Sequence, residues 1–322
     1  MTKLISVIVP AYNEEAVIEL FHARMSEIFD SLKKYRCEMI FVNDGSTDDT
    51  QEIIETLAKR DDRVCAIALS RNFGKEAAMT AGLDLAEGEA VSIFDVDLQD
   101  PPELLLKFVE QWENGFDVVY AKRTKRDGES WLKKATAAGF YRLMTKITKL
   151  NMPADTGDCR LMSRRVVDSL KKMREHNRFM KGLFTWVGYP SIAIEYQREA
   201  RIAGNTKFNY WKLWNFALEG VTSFTTAPLT IATYLGALIA FGAFSTGIWI
   251  IIKTLFFGEV VRGYPTLIVT VLFFGGLQLV FIGILGEYLG RIFEETKNRP
   301  LYLVADYKPS KTGKNQKGAI NE

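Results

Sequence analysis

Ala90-Val91-Ser92-Ile93-Phe94 followed by Asp95-Val96-Asp97-Leu98-Gln99-Asp100 is the stretch on which the reading of the whole chain turns. A short apolar run that stops abruptly at polar residues reads as a buried strand with a functional end. Asp95 and Asp97 stand two positions apart, so their carboxylates project to one side while Val96 points to the other. That spacing suits a hard divalent cation, Mg2+ or Mn2+, which takes oxygen ligands and bridges one or two carboxylates to a substrate's phosphates. Gln99, two residues further on, can add a carbonyl oxygen. A solvated turn after a strand shows the same pattern, so the pair needs support from elsewhere in the chain.

Upstream, β-rich runs at Leu4 to Val9, Met39 to Val42 and Val64 to Leu69 alternate with amphipathic stretches such as Ala16 to Leu32 and Gln51 to Lys59, and Val118 to Tyr120 follows downstream. Alternation of this kind predicts an α/β fold with a mostly parallel sheet flanked by helices. Ligands then bind beyond the carboxyl ends of the strands. Those ends are polar: Pro10-Ala11-Tyr12-Asn13-Glu14, Asn43-Asp44-Gly45-Ser46-Thr47-Asp48 and Arg71-Asn72-Phe73-Gly74-Lys75. Neither G-x-G-x-x-G nor G-x-x-x-x-G-K-[ST] is present, which argues against dinucleotide and P-loop folds. Asp44-Gly45-Ser46 reads as a tight turn before a capped helix, and Asp44 still faces the strand-end crevice. Tyr12 is placed to stack on a nucleobase or simply to pack, Asn13 and Glu14 to meet a polar edge or a ribose, and Lys75 is either a surface cation or part of the same crevice.

Charge is nearly balanced over the 322 residues, net +2, and offers no argument for a nucleic-acid partner. Cys37, Cys65 and Cys159 are scattered and read as reduced structural thiols; His22 and His176 are far apart, against zinc. Gly220 to Ile252 and Gly263 to Gly286 carry no charged residue, and each run is long enough to cross a bilayer. The N-terminus shows no signal-peptide pattern. Arg201, Lys207, Lys212, Arg291, Lys297 and Arg299 flank the two spans, against Lys253 and Arg262 between them. This asymmetry predicts cytoplasmic termini and a short outward-facing loop. Small residues such as Gly236 and Ala240, or Gly275 and Gly276, would permit close helix contacts.

The expected organisation is a catalytic domain over 1–208, an aromatic interfacial helix over 209–226, two transmembrane helices over 227–290, and a cytoplasmic tail over 291–322. The tail is read as disordered beyond Pro300, because Lys308, Lys311, Lys314 and Lys317 sit among Gly, Ser and Asn. A helical pattern over Trp131 to Lys149 precedes Asp155-Thr156-Gly157-Asp158-Cys159-Arg160-Leu161, a turn entering a short strand.

Taken together, Val9 to Glu14, Val42 to Asp48 and Asp95 to Asp100 resemble, in order and spacing, the nucleotide-sugar-binding segments of family 2 inverting glycosyltransferases of the GT-A fold. Arg178-Phe179-Met180-Lys181-Gly182, Arg201-Ile202-Ala203-Gly204-Asn205-Thr206-Lys207 and the two spans extend the likeness over nearly the whole chain. It is most similar to the polyprenyl-phosphate hexosyltransferase type, the bactoprenol glucosyltransferases related to dolichol-phosphate mannose synthases. The resemblance implies transfer of a hexose, with glucose from UDP-glucose the first choice, to undecaprenyl phosphate in the inner membrane. The β-linked product would serve cell-surface glycan modification, as in the O-antigen of lipopolysaccharide. It further implies that Asp95, Asp97 and Gln99 hold the metal, that Pro10, Tyr12, Glu14 and Asp44 hold the nucleoside, and that Arg123, Arg201 and Lys207 meet phosphates. Lys75 belongs to the same donor site. Lys134 and Arg142 are candidates for the lipid phosphate, or present a basic face to solvent. Asp158 with Arg160 resembles the acceptor-side segment, with Cys159 where many relatives carry an aromatic.

A phosphate monoester is already largely anionic at neutral pH, its second pKa being about 6, so the acceptor needs no dedicated base. Implied partners are a homo-oligomeric copy, a flippase for the lipid-linked sugar and a downstream glycosyltransferase. Processive polysaccharide synthases share the nucleotide-sugar domain, but Q-x-x-R-W and further spans are missing from this chain; a catalytically silent scaffold or binding subunit is the reading from another class.

Overall fold

The computed structural model describes residues 2–124, 156–197, 227–257 and 263–312. Lys134, Arg142, Arg201 and Lys207, the helical pattern over Trp131 to Lys149 and the interfacial helix expected over 209–226 lie outside them. The described chain forms two compact units, residues 1–217 with 300–322, and residues 218–299.

The first unit is built on one eight-stranded sheet in the order β7-β5-β6-β4-β1-β2-β3-β8. Its strands are β1 (Leu4–Ala11), β2 (Arg36–Asn43), β3 (Val64–Leu69), β4 (Ala90–Ile93), β5 (Val118–Arg123), β6 (Thr156–Ser163), β7 (Ser191–Tyr196) and β8 (Val304–Lys308). Leu4-Ile5-Ser6-Val7-Ile8-Val9-Pro10-Ala11 is buried at every position, as a central strand covered on both faces must be. It pairs in parallel with β2 on one side and β4 on the other, which brings Ala11 level with Asn43 and leaves Phe94 just beyond Ile8. Thus the polar segments after β1, β2 and β4 converge at one edge. The sheet is mixed: β2–β3 and β5–β7 are also parallel, whereas β6 runs antiparallel to both β4 and β5.

Helices α1 (Ile18–Ser31), α2 (Thr50–Arg60), α3 (Lys75–Leu85), α4 (Leu104–Glu113), α5 (Arg164–Lys171) and α6 (Met180–Trp186) cover the sheet. Phe21, Met25, Phe41, Phe94 and Phe108 form the centre of the main core with Ile5, Val7 and Val9. Each such side chain contributes roughly 1.5–3 kcal/mol when fully buried. On the opposite face α3 lies close against β1, where a Cβ at Gly82 would come within 2.4 Å of Ile8 Cγ2.

The C-terminal segment departs from expectation. Instead of a disordered tail from Pro300, β8 pairs antiparallel with β3, Tyr302 donates to Asp84 Oδ2 at 2.7 Å, and the buried Ser310 donates to Glu38 Oε2 at 2.8 Å. Strand-like alternation in Leu303-Val304-Ala305-Asp306-Tyr307-Lys308 is partly hidden by its charges, yet Lys308 meets Glu55 at 2.7 Å. The sheet therefore draws its last strand from beyond the apolar segments, and the unit is discontinuous in sequence.

The second unit holds α7 (Ala227–Phe257) and α8 (Tyr264–Lys297). Their 31 and 34 residues span about 45 and 50 Å at 1.5 Å per residue, against about 30 Å of hydrocarbon. α8 extends past the boundary expected at 290. A core helix of a water-soluble fold hides its apolar side chains, but Phe241, Trp249, Leu279 and Phe293 are each more than half exposed. Two apolar helices with uncovered faces support a membrane-anchored protein.

Candidate active site

The loop after β1 and the loop after β2 clamp each other. Asn13, in a left-handed conformation with φ of 55°, accepts the Thr47 N–H on Oδ1 at 2.9 Å, and its own N–H donates to Ser46 Oγ at 3.0 Å. The Glu14 N–H donates to Thr50 Oγ1 at 2.9 Å, and Asn43 Oδ1 accepts the Ser46 N–H and Oγ–H. Gly45, with φ of 65°, lets the backbone pass Arg71, whose carbonyl carbon lies 2.4 Å from where a Cβ would stand.

Asp44 is buried and directs both carboxylate oxygens at the third loop: Oδ1 accepts the Phe73 N–H at 2.7 Å and Oδ2 the Gly74 N–H at 2.9 Å. Burial pushes its pKa up, opposed by those two N–H groups and by Arg71. Asp44 thus braces the turn that delivers Lys75.

Pro10, Tyr12, Glu14, Asp44, Lys75, Asp95 and Asp97 line one cleft of about 300 Å3, with Asn72, Gly74 and Val96. Tyr12 is 40% exposed. Gln99 is buried and not in the cleft wall; its N–H donates to Asp97 Oδ1 at 3.1 Å. The Lys75 ammonium stands between two carboxylates, 2.6 Å from Asp95 Oδ1 and 2.6 Å from Asp158 Oδ2. Burial works against its charge, but the two aspartates outweigh burial and hold its pKa above the ordinary lysine value. Asp158 is lowered correspondingly: burial opposes ionisation, and Lys75, Lys181 and Arg160 prevail.

Behind Asp158, Arg160 is buried with its guanidinium 3.7 Å from the centre of the Phe184 ring, donating to the Asp158 and Gly157 carbonyls at 3.2 and 2.9 Å. Burial lowers its pKa to about 10. Arg123, at the end of β5, donates from Nε to Tyr196 Oη at 3.1 Å, and Tyr196 donates in turn to the buried Asp100. It stands beside the cleft without lining it. Glu76 accepts the Met180 N–H at 3.2 Å; burial first, and then Asp158, raise its carboxyl to about 7.

Glu76, Asp100 and Tyr196 had no assigned role in the sequence. Asp100 closes the Asp95–Asp100 segment and Glu76 follows Lys75, so adjacency was the one available signal. Tyr196 gave none, being 96 positions from its acceptor.

Whether a divalent cation fits can be judged from one buried atom. Asp95 Oδ1 is shut off from water, and its contact with Lys75 is too poorly aligned to be a hydrogen bond. The Lys75 ammonium is its ion-pair partner, and Asp95 and Asp97 both line the cleft. Among the described residues no three His, Cys, Asp or Glu side chains gather into a self-sufficient metal cage. Two carboxylates with substrate phosphates completing the shell is the arrangement Mg2+ takes. The residues present therefore fit the ion.

Residues 6–171 match the family model described as Glycosyl transferase family 2. The chain is 51% identical over 300 residues, 93% of its length and 98% of the relative's, to the prophage bactoprenol glucosyl transferase homolog of Escherichia coli K12. It is 50% identical to the bactoprenol glucosyl transferase of Shigella phage SfX, over 94% of this chain and 99% of that one. Among solved structures, a mannosyltransferase from Pyrobaculum calidifontis in complex with GDP-Man and Mn2+ aligns with a TM-score of 0.47 at 19% identity, covering 67% of this chain and 61% of that chain.

Proposed function

This chain belongs to glycosyl transferase family 2, and from that premise we propose that it transfers glucose from UDP-glucose to undecaprenyl phosphate with inversion, giving a β-linked polyprenyl phosphoglucose. The observation that carries the reading is the pairing of Asp95 and Asp97 in one cleft with Lys75, while Asp158 holds the far side of the same ammonium. The first unit is taken as a GT-A domain. Tyr12 and Glu14 are assigned to the nucleoside at the mouth of the cleft, and Pro10 and Asp44 to its wall. Asp95 and Asp97 would hold Mg2+ or Mn2+, which supplies charge stabilisation for a departing diphosphate.

Every remaining part of the reaction falls to side chains. The acceptor phosphate is already an anion, so the site has to position it in line with the anomeric carbon rather than deprotonate it. A P–O oxygen forms a bond to that carbon as the bond to the diphosphate oxygen breaks, and the electron pair leaves with UDP. Lys75 and Arg123 stabilise the negative charge that builds on the diphosphate. The apolar helices keep this chemistry at the bilayer, because each methylene of a polyprenyl tail withdrawn from hydrocarbon costs about 0.8 kcal/mol. We assign the first unit and both chain ends to the cytoplasmic side of the inner membrane. A lipid-linked sugar made there requires a flippase and a second transferase before it reaches a surface glycan.

The test is turnover by the purified full-length protein, with Mg2+ or Mn2+, a short polyprenyl phosphate and radiolabelled UDP-glucose. Lipid-linked glucose on a thin-layer plate is expected, and Asp97→Ala should reduce it at least about a hundredfold. Nucleotide binding without lipid-linked product would favour the scaffold reading, and polymeric product the synthase.

A further inference from the structure

Arg178-Phe179-Met180-Lys181-Gly182 stands out in the sequence, and the transfer mechanism above leaves it without a task. Phe179 and Met180 are buried, and the Met180 N–H is held by Glu76, which fixes the start of α6. Phe184 lies under the guanidinium of Arg160, and Arg160 grips the carbonyls of Gly157 and Asp158. α6 is therefore docked on the segment that carries Asp158. Lys181 and Phe184 are three positions apart and share a face of that helix. That face is turned toward the Asp158 segment, and Asp158 is the foremost charge acting on Lys181.

The charges that act on Lys181 are Asp158, Lys75, Arg160 and Arg123, and it is partly buried among them. The other three cations are all engaged: Lys75 by Asp95 and Asp158, Arg160 by two carbonyls, Arg123 by Tyr196. Lys181 Nζ has no hydrogen bond or ion pair among the described residues. Burial, the largest influence, and repulsion from its three cationic neighbours lower its pKa against the pull of Asp158, so a further anion beside it would stabilise its charge. Nor does it line the donor cleft, whose wall includes Lys75 and ends short of α6.

We propose that Lys181 binds the phosphate of the prenyl acceptor, holding its non-attacking oxygens on the Asp158 side of the cleft. This rests on the acceptor being a phosphorylated lipid. Lys181 makes and breaks no covalent bond; it orients the dianion for attack while Lys75 remains with the donor.

Two measurements on the full-length protein in detergent, loaded with UDP and Mn2+, test the assignment. Farnesyl phosphate and farnesol are titrated against wild type, Lys181→Gln and Lys181→Arg with tryptophan fluorescence as readout, and UDP affinity is measured by calorimetry. Wild type should bind the phosphate at least about tenfold more tightly than the alcohol, Lys181→Gln should lose most of that difference, and Lys181→Arg should keep it. UDP affinity should stay within about twofold throughout. A parallel loss of UDP affinity in Lys181→Gln would make Lys181 a donor-diphosphate ligand and overturn the proposal. So would equal binding of phosphate and alcohol by wild type, or an unchanged preference in Lys181→Gln. Should Lys181→Gln fail to fold, Lys181→Met takes its place under the same criteria. Failure of glucose transfer in the separate turnover assay, with the phosphate preference intact, would fall on the proposed reaction and not on Lys181.

Discussion

Replacing Asp44 by Ala separates two roles that one residue could fill. The family resemblance assigns Asp44 to the nucleoside, whereas its oxygens accept the N–H groups of Phe73 and Gly74 at 2.7 and 2.9 Å. Hydrogen bonds to a charged acceptor contribute about 1.5–3 kcal/mol each, so the two together amount to about 3–6 kcal/mol. Burial of the carboxylate, visible in its raised pKa, offsets part of this and leaves a net loss of about 2–4 kcal/mol on truncation. For a folded unit of about 200 residues that corresponds to a fall in Tm of roughly 5–12 °C. Asp44→Asn keeps one acceptor and should lose about half as much. Scanning fluorimetry of the nucleotide-free protein in detergent reads the effect, with UDP affinity measured alongside. Because Asp44 sets the turn before Lys75, UDP affinity should fall together with stability. An unchanged Tm with abolished UDP binding would refute the bracing argument and leave Asp44 as a ligand alone.

Gly45→Ala should destabilise more than Gly74→Ala in the same assay. Both glycines have positive φ, costing about 1–2 kcal/mol for an L residue, but a Cβ at 45 would also strike the Arg71 and Asn72 backbone whereas one at 74 meets nothing within 4 Å. Glu76 gives a pH signature. Unfolded it titrates near 4.5 and folded near 7, so the folded chain holds an additional proton between those values and loses stability as pH rises through that window. Glu76→Gln should match wild type below pH 4.5 and exceed it above pH 7 by up to about 3 kcal/mol, measured as Tm across the range.

Strands whose burial is local were legible. Val64–Leu69 reads directly as a continuous apolar run, and β4 with its acidic end identified both the sheet and the cleft. Contacts between distant segments were not. That Asp44 reaches Phe73 depends on the parallel register of β2 and β3, and that Lys75 joins Asp95 to Asp158 depends on β6 entering antiparallel beside β4. No local pattern encodes either register. β8 was missed for another reason. An edge strand needs charged residues to discourage pairing with other chains, and Asp306 and Lys308 supply them, which is the same signature that marks a solvated tail.

Among the described residues, the charge arrangement accounts for the groups that are missing from the site as well as those present. His22 is tied to Asp61 at 3.1 Å, and neither histidine lines the cleft. An acceptor that had to be deprotonated would require a base near neutrality within reach of it; among the described residues the carboxyl raised to about 7 is Glu76, which accepts the Met180 N–H on one oxygen and does not line the cleft. Asp158 is held ionised by Lys75, which leaves it a poor base and a good anchor. What remains are cations on both sides of Asp158 and a pair of carboxylates facing the donor cleft. Such a site can gather two anionic partners and keep them apart until they are aligned, and it is matched to a nucleophile that arrives already ionised.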